Sequence, residues 1–160
     1  MNSNFKVYSA AVLLLAVGML SSAFASVRGI NAIQEEFIPE LQERALQGDV
    51  DAQSSLGFMY RNGEFGVVQD YAEAARWYRL AADQGLSDAQ YDLGLMYGDG
   101  EGVEQDDVRA HMWANIAASL GNDDGRELRE RMASRMTPQQ IEEAQERATR
   151  CVESNYSDCD

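Results

Sequence analysis

The sequence predicts an all-α fold, an α/α solenoid of two helical-hairpin repeats with flanking N-terminal and C-terminal capping helices. Three observations carry that expectation. The segment Gly48–Gly121 writes one pattern twice. Alanine is frequent while proline occurs only 2 times, which favours helix. No sustained apolar/polar alternation marks a strand.

In chain order, the first element is an expected signal peptide, residues 1–25. Lys6 supplies a positive start, Val7–Leu20 is apolar but short for a bilayer span, and Ala23-Phe24-Ala25 offers small residues at signal-peptidase spacing. Cleavage after Ala25 is expected; retention as an anchor is the competing reading. Residues 26–32 read as a linker and residues 33–152 as the helical repeat domain. A leading helix is expected over Ile33–Gln47, with Pro39 moving its start toward Ile38 and Gly48 closing it.

The repeats are expected near 48–84 and 85–121. Gly48-Asp49-Val50-Asp51-Ala52-Gln53 returns 37 positions later as Gly85-Leu86-Ser87-Asp88-Ala89-Gln90. Leu56-Gly57, Met59-Tyr60 and Gly63-Glu64 return as Leu93-Gly94, Met96-Tyr97 and Gly100-Glu101. Phe65 is an extra loop residue, after which the offset is 36: Ala74, Trp77 and Ala81-Ala82 return as Ala110, Trp113 and Ala117-Ala118. Each copy reads as two helices, Val50–Arg61 and Asp70–Asp83, then Ser87–Tyr97 and Asp106–Ser119. Ala52, Leu56 and Tyr60 form one apolar stripe. Gly57 lets another helix approach, and Gly63 and Gly100 end their helices. Asp70 with Glu73 reads as a variant capping box.

Capping helices are expected over 122–152. Asn122–Gly125 reads as a polar turn, Arg126–Arg135 as a charged helix, and Thr137-Pro138-Gln139-Gln140 as the opening of the last helix. Residues 153–160 read as an irregular tail. Cys151 and Cys159 lie close together, and in an oxidising compartment they are expected to pair around Val152–Asp158. Their spacing suits neither a C-x-x-C redox pair nor zinc.

The order Ala…Leu-Gly…Tyr…Gly…Gly-Val…Asp…Ala…Trp…Ala-Ala…Gly over Ala45–Gly121 resembles the Sel-one-like repeat family, relatives of the tetratricopeptide repeat. The stretch Met136–Cys151 is similar to the terminal helix of bacterial members. Ala114 in place of Tyr78, the inserted Phe65 and the missing third copy depart from the pattern. The resemblance implies a protein–protein adaptor of the bacterial envelope or of secretion, with no shared catalytic residues. Two alternatives stand beside it: a small envelope hydrolase related to cysteine-rich repeat proteins, and a cation-binding acidic envelope protein.

Charge narrows the partners. Lys and Arg number 13 against 27 Asp and Glu, a formal net charge of −14. Polyanions repel such a surface, so nucleic acid and anionic membrane are disfavoured, while a basic protein or peptide partner, a cation or simple solubility all stand open. No catalytic residue, cofactor or metal site is expected. His111 is the only histidine and reads as a packed or surface residue, and no Gly-x-Ser-x-Gly elbow is present. The acidic loop Asp99–Asp107 lacks calcium-loop order and reads as an inter-helix turn. The expected partner site is one face of the first helices. Phe58, Tyr91 and Leu95 are large and apolar opposite the Leu56 stripe, with Arg61 and Asp92 beside them. They read as an exposed anchor patch, or else as residues packed on a neighbouring helix.

Overall fold

A computed structural model of the chain describes residues 37–159. The expected signal peptide, the linker and the start of the leading helix lie outside the described residues. Contacts divide the chain into two compact units, Met1–Pro39 and Glu40–Asp160, and the repeats belong to the second. The described residues are helical with no strand. After a helix over residues 37–46 (α1) come α2 (Val50–Asn62), α3 (Tyr71–Ala82), α4 (Ser87–Asp99), α5 (Asp107–Ser119), α6 (Asp123–Ala133) and α7 (Pro138–Glu153).

The duplicated residues make duplicated bonds. Gln53 Nε2 donates to the Ala45 carbonyl at 3.0 Å, and Gln90 Nε2 to the Ala82 carbonyl at 3.2 Å. Each buried amide thereby ties a first helix to the end of the helix before it. Gln69 Nε2 donates to the Arg61 carbonyl at 2.9 Å, as Gln105 Nε2 does to Gly98 at 3.0 Å. Gly63 and Gly100 close α2 and α4 in the left-handed region, at φ 68° and 73°. Asp70 caps α3 by accepting from the Ala72 and Glu73 amides, and Asp106 caps α5 by accepting from Arg109. The second half of the expected Asp70 capping box does not form, because Arg76 donates to the Glu73 carboxylate instead. At α7 the box is complete, between Thr137 and Gln140.

The hairpins α2–α3 and α4–α5 pack tightly, and α4 also packs on α3. Their seams are small residues around one aromatic: Ala74, Trp77 and Ala81, then Ala110, Trp113 and Ala117, all buried. The two seams differ at one position. A Cβ on Gly57 would lie 2.7 Å from the Tyr78 ring. A Cβ on Gly94 would lie 3.2 Å from the Ala110 carbonyl oxygen and 3.2 Å from the Leu128 side chain. Ala114 in place of tyrosine thus leaves room that Leu128 of α6 fills.

The C-terminal helices depart from the expectation. Helix α6 begins at Asp123, not Arg126, because Asn122 accepts from the Gly125 amide and caps it. It is a worn third first-helix. Gly125 stands 36 positions after Ala89 and packs against Ala117 and Ala118, and Met132 stands 36 after Met96 and is equally buried. At the Leu93-Gly94 positions it carries Arg129-Glu130. A charged pair cannot take an apolar partner helix. Accordingly α7 forms no hairpin with α6 but lays Ala144, Ala148 and Cys151 back onto α5. Beyond Glu153 the chain leaves the helix and stays packed: Cys159 is buried in a disulfide with Cys151, and the Tyr156 ring covers Gly85.

Candidate protein-binding face

Helices α2, α4 and α6 form the row of first helices, and such rows line the binding surface of stacked hairpin repeats. Arg61 joins α2 to α4, and α6 packs beside α4. The row presents Ser54, Phe58 and Arg61 from α2, then Tyr91, Asp92 and Leu95 from α4.

Phe58 is 47% exposed, where helical spacing places it. Tyr91 and Leu95 follow the other reading, packing on their neighbours: both are half-buried and pack against the core. The reason is α6, whose Leu128 and Met132 pack against Gly94 and Gly98 on α4. Arg61 and Asp92 are likewise engaged. The Arg61 guanidinium lies 3.4 Å from Asp92 and 3.2 Å from Glu101. Burial pushes the Asp92 carboxyl up to about 6, against the opposing pull of Arg61 and of the Tyr78 hydroxyl, which donates to it. Burial first, then Asp92, raises the Tyr78 hydroxyl as well. Arg61, Asp92 and Tyr78 therefore form a polar tie between the repeats, beside the face.

Next to this tie, between α4 and α6, lies a cavity of about 160 Å³ lined by Tyr91, Asp124, Glu127, Leu128 and Arg131. Only Tyr91 of these stands out as a candidate in the sequence. Of the α6 residues only Asp124 falls in the expected turn; Glu127, Leu128 and Arg131 lie in the expected charged helix Arg126–Arg135, whose packing on α4 the sequence does not show. The signal that finds them is the 36-residue register of Met132 on Met96 and Gly125 on Ala89. A wider groove of about 270 Å³ runs between α5 and α7, past Ile116 and Val152.

Other polar residues have structural tasks. In the acidic loop, Glu101 pairs with Arg61, Asp106 caps α5, and Asp107 pairs with Arg135 at 2.6 Å. His111 is buried in α5, and burial and then Arg129 push its pKa down. Among the described residues, no group of three or more His, Cys, Asp or Glu is placed to hold a metal ion. No described helix is long and apolar enough to cross a membrane. Cys151 and Cys159 are disulfide-bonded, their Cα atoms 4.4 Å apart.

Comparison with known proteins agrees with this architecture. Residues 50–86 and 87–122 match the family model of the Sel1 repeat. Among solved structures, the chain resembles c5321, described as a protective antigen of uropathogenic Escherichia coli strains displaying an SLR fold. Identity is 33% and the TM-score 0.70, over 75% of this chain and 27% of that one. It also resembles a Sel1 repeat protein from Oxalobacter formigenes, with 30% identity and a TM-score of 0.58, over 74% of this chain and 49% of that one. The chain thus spans less than half the length of either. No curated protein matches it. Sel1 repeats generally mediate protein–protein interaction, and the fold is typically a non-catalytic scaffold. The chain thus carries two Sel1 repeats in tandem within an all-helical SLR-type fold, a likeness that supports a helical-repeat protein-interaction module.

Proposed function

We propose that the chain is exported and acts as an adaptor of the cell envelope, holding a protein or peptide partner on the row α2, α4 and α6. The observation that carries the reading is the row itself. It combines an exposed aromatic, Phe58, with a cavity walled by α4 and α6. Aromatic anchors and pockets at an interface are where binding energy concentrates. Export is supported by Lys6, Val7–Leu20 and Ala23-Phe24-Ala25, and by a disulfide of the kind that persists in oxidising compartments. Short linkers and few repeats suit one component of a complex rather than a long scaffold.

Two experiments test this. N-terminal sequencing of the protein from the exported fraction should begin at Ser26; a start at Met1 defeats cleavage. Capture from the same fraction should be lost on Phe58→Ala with circular dichroism unchanged. Capture that survives this substitution removes Phe58 from the binding face.

A further inference from the structure

The α4–α6 cavity has two kinds of wall. The Tyr91 ring and Leu128 form the apolar wall; Asp124 and Glu127, three residues apart on one side of α6, form the charged one together with the cation Arg131. A space of roughly 150 Å³ holds a benzene-sized guest, so this one admits a single side chain and not a helix. The local field is negative. Burial first, then the Asp124 and Asp92 carboxylates, raise the Tyr91 hydroxyl, and Arg131 and Arg61 only partly oppose them. A guest that fits both walls is apolar along its stem and positive at its tip.

The junction of the first repeat is built differently, since the positions of Asp124 and Glu127 are held there by Asp88 and Tyr91. Across α2 and α4 the chain supplies its own cation, with Arg61 set on Asp92 and Glu101. The counterpart of Arg61 in the second repeat is Gly98, which has no side chain to offer. Arg135, near the far end of α6, is engaged by the Gly98 carbonyl and by Asp107. By contrast, the groove between α5 and α7 has nothing in its walls that names an occupant.

We propose that the α4–α6 cavity anchors a lysine side chain of the protein partner, its ammonium between Asp124 and Glu127 and its methylenes along Tyr91 and Leu128. Two carboxylates on one side of a narrow space suit a compact point charge better than a planar fork. The long stem buries its carbons while the head stays with the acids. This assignment rests on the reading of the α2, α4, α6 row as the binding face.

The test uses the purified protein, ¹⁵N-labelled, and acetylated, amidated Ala-Ala-X-Ala-Ala peptides with lysine, arginine or glutamate at X. The lysine peptide should shift the amides of Tyr91 and of residues 124–131, and the glutamate peptide should not. The double variant Asp124→Asn with Glu127→Gln should weaken the lysine peptide on the order of tenfold, as loss of paired charge does at interfaces. Both residues are exposed on α6, so the fold should persist by circular dichroism. Equal shifts with glutamate, no shifts with lysine, or indifference to the double variant overturn the proposal. An arginine peptide that binds as tightly overturns the lysine preference. Photocrosslinking of a partner through position 58 tests the face separately. If it succeeds while the lysine peptide fails, the pocket assignment alone falls. If it fails, the face reading falls and takes the pocket with it.

Discussion

At the scale of single residues, Asp92 makes the sharpest claim. Its carboxyl titrates at about 6 when folded and at 3.8 when free of the fold, chiefly because it is buried. The folded state therefore binds this proton more tightly than the unfolded state. The contribution of Asp92 to stability should rise as pH falls through 6 and be complete below 3.8. The shift corresponds to about 2–3 kcal/mol. Urea unfolding at pH 7.5 and at pH 4.5 should show that increment as the difference between wild type and Asp92→Asn, which has no carboxylate to protonate. Equal pH dependence in the two proteins contradicts it. Gly57 makes a second claim. A methyl group there meets the Tyr78 ring at 2.7 Å, and Tyr78 is fully buried and cannot swing away. Gly57→Ala should cost about 1–3 kcal/mol, the usual range for overpacking. Tyr78→Ala should recover part of that loss in the Gly57→Ala background, since the second repeat already pairs its glycine with Ala114. Additive losses in the double-mutant cycle would refute the contact.

At the scale of elements, the sequence was legible wherever a helix repeated. The register of Leu56-Gly57 on Leu93-Gly94 placed α2 and α4 to within two residues, and Asp70 and Asp106 marked the starts of α3 and α5. At α6 the sequence shows a charged helix, Arg126–Arg135, but neither its start nor its packing on α4, for a physical reason. Its apolar seam is replaced by Arg129-Glu130, and its start is capped by Asn122, a residue equally at home in a turn. That loss concealed the packing of α6 on α4, and with it which reading of Tyr91 and Leu95, exposed or packed on a neighbouring helix, holds. The course of α7 was equally hidden, because an apolar stripe says that a helix packs and not on what. The disulfide acts at this scale. It closes a loop of short length next to α7, and such a closure contributes about 2–3 kcal/mol. Reduction, or Cys151→Ser with Cys159→Ser, should lower the melting temperature and speed amide exchange over residues 154–159, where Tyr156 rests on Gly85. Unchanged exchange there would mean that the tail is held by packing alone.

At the scale of the whole molecule, two repeats are fewer than such stacks usually need. The described unit makes up the difference at both ends. Helix α1 buries Leu41 and Ala45 at one end, and α6 and α7 cover α5 at the other. On the proposed function the row of first helices is the binding surface, bearing the exposed Phe58, in a chain of net charge −14. A partner with a basic, partly apolar segment is the complement of that surface, and its association should slow as salt screens the charges. The most direct test places a photocrosslinking residue at Phe58 or, as a control, at exposed Gln145 on α7, in the protein expressed in its own host. Binding on the row should give one discrete adduct from position 58, lost at high ionic strength, and none from position 145. An adduct from position 145 with none from position 58 would contradict it.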